Sequence, residues 1–144
     1  MFNSILTFLG IFSVGAFILY LLLVYIFPRL HRWRIAKEEM PEAWERVLNT
    51  EVKGFVDLSE GEKEAVRKLL KVYMAEKFFE PKRMKWDQQI LICAYLAMAL
   101  HDKKGKYLSR LSTIKIGKAF KEGQGFLQVL SPEELLNIEY KKWS

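Results

Sequence analysis

Residues 5–27 read ILTFLGIFSVGAFILYLLLVYIF, twenty-three residues without a charge, sixteen of them Leu, Ile, Phe or Val. As a helix the run spans about 34 Å, against about 30 Å of bilayer hydrocarbon. Each large apolar residue favours insertion by about 0.3–0.6 kcal/mol near the bilayer centre, and nothing in the run opposes it. A lone span satisfies its backbone hydrogen bonds in lipid only as a helix, so residues 1–28 are expected to form a transmembrane anchor. A cleaved signal peptide fits less well: no Lys or Arg precedes the run, the run is too long, and no small-residue cleavage site follows it.

The residues beyond the run fix the expected orientation. Pro28, Arg29, His31, Arg32, Arg34 and Lys37 form a basic cluster, which marks the cytoplasmic side. Arg29, Arg32, Trp33, Arg34 and Lys37 are therefore the expected membrane-interface residues of a juxtamembrane segment, residues 29–40. Pro28 is expected to kink the helix there. The expectation is a single-pass protein of the cell inner membrane, with its N-terminus outside and residues 41–144 as a cytoplasmic domain. Small residues Gly10, Ser13, Gly15 and Ala16 form no GxxxG.

Every charged side chain follows Pro28, so the net charge of +6 belongs to the part outside the bilayer. An anionic leaflet attracts such a domain, although beyond residue 40 the lysines read as solubilising surface. No patch is read as interleaving Arg with exposed aromatics, and no nucleic-acid partner is expected. The single Cys93 excludes an intramolecular disulfide.

In residues 41–144 the pattern predicts a mainly α, α+β domain with a short β-hairpin. Pro41 opens a short helix with Glu42 and Glu45 in its first turns, ending at Asn49 and Thr50. Ser59 to Glu62 is a capping box. After it Val66, Leu69, Leu70, Tyr73, Met74 and Lys77 mark one face of a helix. Phe78 to Met84 reads as extended, broken by Pro81. Asp87 is expected to cap a helix whose segment Ile90 to Leu100 is apolar all round; it is too short to span a bilayer and is expected to be the core. Thr113 to Ile116 alternates as a strand, Phe126 to Leu130 reads as a second, and the two are expected to pair as a hairpin with a long loop. Ser131, Pro132 and Glu134 are expected to start a helix running to about Trp143.

The chemistry-bearing residues are few. His31 lies in the basic cluster. His101, at a helix C-terminus, reads as structural rather than as a base. Cys93 sits in an apolar run that opposes a thiolate. No HExxH, CxxC or phosphate loop occurs. No catalytic or metal residue is assigned.

The order PEAWERVLNT, LSEGEKEAVRKLLKVYMAEKFF, WDQQILICAYLAMAL and STIKIGKAF resembles the N-terminal half of the glucose-regulated zinc metallopeptidases, the Mlc titration factor A family. Pro41 and Trp44 match its P-x-x-W opening, Lys77 and Phe79 its helix ending, and Phe120 the close of its strand. The resemblance covers about residues 36–120 and implies a peptidase N-terminal subdomain. The family's HExxH helix and downstream ligand are missing between Met1 and Ser144, so no zinc or catalytic residue carries over. Three functions follow as expectations, the blandest being a small membrane protein that only binds lipid headgroups through Arg29, Arg32, Arg34 and Lys37. The first is a membrane-tethered, non-catalytic interaction or regulatory module that binds a cytoplasmic protein or itself. The second is a truncated or split zinc-dependent peptidase, with zinc bound only by a half supplied elsewhere. The expected contact surface is Phe126, Leu127, Val129, Leu135, Ile138, Tyr140 and Trp143, apolar side chains that such a half would cover.

Overall fold

The computed structural model describes residues 2–80, 82–101, 108, 110–117, 121–123, 125–129 and 131–138. The chain divides into two compact units, Met1–Arg34 and Ile35–Ser144.

The first unit is helical. Helix α1 (Phe2–Leu21) passes through a wide π-helical turn (Leu22–Ile26) into α2 (Phe27–Lys37), whose residues 35–37 belong to the second unit. Pro28 supplies the reason for the wide turn. It has no N–H to donate to the carbonyl four residues back, and its ring crowds that carbonyl. Widening the turn ahead of Pro28 inserts a residue and relieves the clash, and Phe27 N–H bonds Leu22 O, five residues back. Among the described residues, one helix is long and apolar enough to cross a membrane.

The second unit is mainly helical with one small sheet. Helix α3 (Glu42–Glu51) starts directly after Pro41 and buries Val47 and Leu48. It runs through Asn49 and Thr50, whose side chains donate back to the carbonyls of Glu45 and Arg46. Gly54 takes φ +82° in the connector, a conformation that costs a non-glycine residue about 1–2 kcal/mol. Helix α4 (Glu60–Glu76) carries the expected capping box: Ser59 Oγ accepts from Glu62 N–H, and Glu62 reaches back to Ser59 N–H at 2.8 Å. Its buried face is Val66, Leu69, Leu70, Val72 and Tyr73.

Helix α5 (Trp86–Leu100) is the centre of this unit. Eight of its residues are buried: Ile90, Ile92, Cys93, Ala94, Tyr95, Leu96, Ala97 and Leu100. A helix apolar on every side must be covered on every side, and α3, α4 and a 3-10 turn (Pro132–Asn137) pack around it. Asp87 is not its cap. Lys85 takes the cap position, the helix begins at Trp86, and Asp87 lies within the first turn, where its charge complements the helix dipole.

The sheet has strands β1 (Phe78–Glu80), β2 (Thr113–Ile116), β3 (Lys121–Gly123) and β4 (Phe126–Val129), in the order β1-β2-β4-β3. Here one expectation is corrected. β2 and β4 are neighbours but run parallel, with Ile114 opposite Leu127 and Ile116 opposite Val129. Parallel neighbours cannot be joined by a tight turn. The chain instead runs out to β3 at the far edge and returns antiparallel, so the hairpin is β3–β4, with Gly123 opposite Phe126. Gly125, at φ +76°, makes the return, and its carbonyl accepts from Ser112 N–H and Thr113 N–H. β1 pairs parallel with β2, Phe79 opposite Ile114. Period-two alternation turns Ile114, Leu127 and Val129 into the core.

The closing helix is also shorter than expected. Pro132 starts a 3-10 turn that ends at Asn137, and Ser131 makes no side-chain cap bond. Ile138 has extended dihedrals (φ −84°, ψ 141°), which end the element at Asn137; the rest of the expected helix, to about Trp143, lies outside the described residues. Leu135 plugs the core from this turn.

Candidate functional site

Four places carry the side chains that a function would use. The first is α2. Arg29, Arg32, Trp33 and Lys37 recur at spacings of three and four, which places them on one helical face. Arg34 lies off that face. Trp33 is 59 % exposed, and Arg29, Arg34 and Lys37 are exposed.

The second place is the proposed apolar surface, and the structure removes most of it. Leu127, Val129 and Leu135 are fully buried, and Phe126 and Ile138 are half-buried. Leu127, Val129 and Leu135 belong to the domain's own core, and Ile138 packs against it. Tyr140 and Trp143 lie outside the described residues. Among the described residues of this unit, the large apolar side chains that are exposed are Val56, Phe78, Trp86 and Leu136. Phe78 is 73 % exposed, and it sits on β1, the sheet's outermost strand, whose second edge has no partner strand among the described residues.

The third place is an aromatic groove of about 490 Å3, lined by Ile35, Pro41, Trp44, Met74 and Trp86, with Lys71 and Glu38 at its rim. Trp44 and Trp86 meet edge to face, centroids 5.7 Å apart. Trp44 Nε1 is buried with no hydrogen-bond partner among the described residues. Lys71 donates to the carbonyls of Ala36 (2.7 Å) and Glu38, the free acceptors beyond a helix end. Burial pushes the Lys71 ammonium below its ordinary range. Beside it, Arg67 grips the Glu45 carboxylate through Nε (3.1 Å) and Nη2 (2.5 Å). The guanidinium holds the Glu45 carboxyl below the usual carboxylate range.

The fourth is the set of groups that could act chemically. His101 donates from Nδ1 to the Met98 carbonyl at 2.6 Å, and its Nε2 stands 3.6 Å from Glu62 of the capping box. That geometry ties the end of α5 to the start of α4. Cys93 is fully buried, and desolvation pushes its thiol far above the range in which a thiolate forms. Among the described residues, no three His, Cys, Asp or Glu side chains gather as a metal site.

Sequence reasoning passed over Phe78, the Trp44–Trp86 pair and the run Lys82-Arg83-Met84-Lys85-Trp86. The last was legible as basic residues beside an aromatic, but the stretch read only as an extended connector.

No family model, no curated protein and no solved structure matches the chain.

Proposed function

We propose that the chain is a membrane-tethered, non-catalytic interaction module, held by residues 5–27 and presenting its second unit to a cytoplasmic protein. The observation that carries this reading is Phe78, an aromatic side chain 73 % exposed on an edge strand beneath a fully formed core. An exposed edge offers unpaired N–H and C=O groups to an extended segment, and an aromatic beside it supplies affinity. The partner is accordingly an extended peptide segment of a cytoplasmic protein, or the same edge of a second copy. The basic flank Arg29, Arg32, Arg34 and Lys37 supports the orientation with the N-terminus outside, in the inner membrane.

The test is affinity purification of the full chain from detergent-solubilised membranes, with chemical crosslinking, for the native protein and for Phe78→Asp. A partner or dimer retained by the native chain and lost from Phe78→Asp supports the reading. A monomer without partner, or one unchanged by Phe78→Asp, sinks it.

A second reading keeps the resemblance to the zinc peptidases: an N-terminal portion whose catalytic half is supplied elsewhere. Lys77 and Phe79, two positions of that pattern, both pack into the core. Intact mass and zinc content of the endogenous protein decide it. A heavier, zinc-containing species, or a zinc-binding companion that copurifies with the chain, favours the peptidase portion; a zinc-free species near 17.0 kDa with no such companion refutes it.

A further inference from the structure

The loop that enters α5 exposes Lys82, Arg83 and Lys85 within four residues and ends on Trp86, which is 45 % exposed. The loop is not loose. Met84 is buried between these cations, and Gln89 Nε2 donates to its carbonyl at 3.1 Å, so the charged side chains are held outward by an anchored backbone. None of the three cations pairs with a described carboxylate. Glu80, the nearest acid before them, is taken by Lys115 at 2.9 Å. Asp87 follows in the first turn of α5, and Glu38 and Glu39 line the neighbouring groove, so the surface is mixed with cations in excess at the loop. The same groove is lined by both Trp86 and Ile35. Ile35 is the first residue of this unit, so the loop lies close to the point at which the unit begins.

Clustered Lys and Arg beside a Trp are the side chains that meet an anionic headgroup layer. The cations are drawn by its surface potential, and the indole suits the boundary between wet and apolar. We propose that Lys82, Arg83, Lys85 and Trp86 form a second membrane contact, in which the domain docks on anionic phospholipid headgroups of the leaflet reached by the basic flank. The contact rests on the anchor reading above and adds a surface that beyond residue 40 had read as ordinary solubilising charge. It holds the domain down when the leaflet is anionic and releases it when the charge is screened.

The experiment uses the full chain in nanodiscs of phosphatidylcholine alone or mixed with phosphatidylglycerol. Single spin labels are placed at Gln88→Cys, in the exposed first turn of α5, and at Phe17→Cys in the anchor. Cys93 is buried and stays unlabelled in the folded protein. Adding phosphatidylglycerol is expected to lower the access of a water-soluble relaxation agent to the label at Gln88→Cys by about threefold, with high salt reversing the change. The triple variant Lys82→Gln, Arg83→Gln, Lys85→Gln is expected to abolish the response. Access that is equal in the two discs, or a response that survives the triple variant, overturns the proposal. The label at Phe17→Cys separates the two readings. If it is shielded from the water-soluble agent in both discs while Gln88→Cys does not respond, the anchor stands and the lipid contact falls. If it is open to water in both, the anchor reading itself fails.

Discussion

Lys77 shows how a single side chain closes this domain. It is 7 % exposed, and its Nζ donates to the Leu108 carbonyl at 2.8 Å. Leu108 is fully buried and holds a positive φ of 48°, a conformation that a leucine keeps only under constraint. Replacing Lys77 by Met fills the volume but strips the carbonyl of its charged donor. A loss of about 2 kcal/mol is expected in denaturant unfolding of the full chain in micelles. Helical spacing alone placed Lys77 on the buried face. Its acceptor was not legible, because Leu108 lies 31 residues on and its backbone turn follows no residue preference. The Glu45–Arg67 pair carries the pH response at this scale. The folded carboxyl titrates below its unfolded value, so its contribution is present above the ordinary carboxylate range and is lost as pH falls through that range to the lower folded value. Both partners are partly exposed, so the pair is worth about 1 kcal/mol at most. Arg67→Met is expected to flatten that acid limb of the stability profile measured by chemical denaturation.

Among the elements, α4 and α5 were the most legible, and the reason is local. The Ser59–Glu62 box acts over three residues, and the apolar run of α5 demands burial whatever surrounds it. Ser59→Ala should lower stability by about 1 kcal/mol, whereas Glu62→Gln, which keeps a side-chain acceptor, should lose less; thermal melts of the two variants check the order. Strand pairing was not local. Thr113–Ile116 and Phe126–Val129 were both recognisable, but alternation fixes which side chains face inward and not the direction of the partner. The two strands are parallel neighbours, and the antiparallel partner of Phe126–Val129 is β3, which alternation does not single out. The same limit explains the misplaced contact surface. Leu127, Val129 and Leu135 look like a free apolar patch only while nothing shows that α5 lies beneath them. Phe78→Asp, on the open edge, is expected to leave the melting temperature within about 2 °C of the native protein, since surface changes seldom exceed about 0.5 kcal/mol.

For the molecule as a whole, composition changes at Pro28, before which no charge stands, whereas the two compact units divide between Arg34 and Ile35. A single Arg at Leu19, inside the apolar run, should cost about 2.5–3.5 kcal/mol of insertion and lower the fraction that resists alkaline extraction from membranes. Sequence could not reveal how completely the second unit seals its interior, and Cys93 makes that seal measurable. The chain's one thiol lies at the centre of α5, unreachable by reagent until the helices around it part. Its alkylation rate is therefore a stopwatch for whole-domain opening, running in the full chain without denaturant. A substitution that lowers stability by about 2 kcal/mol should speed that stopwatch about thirtyfold.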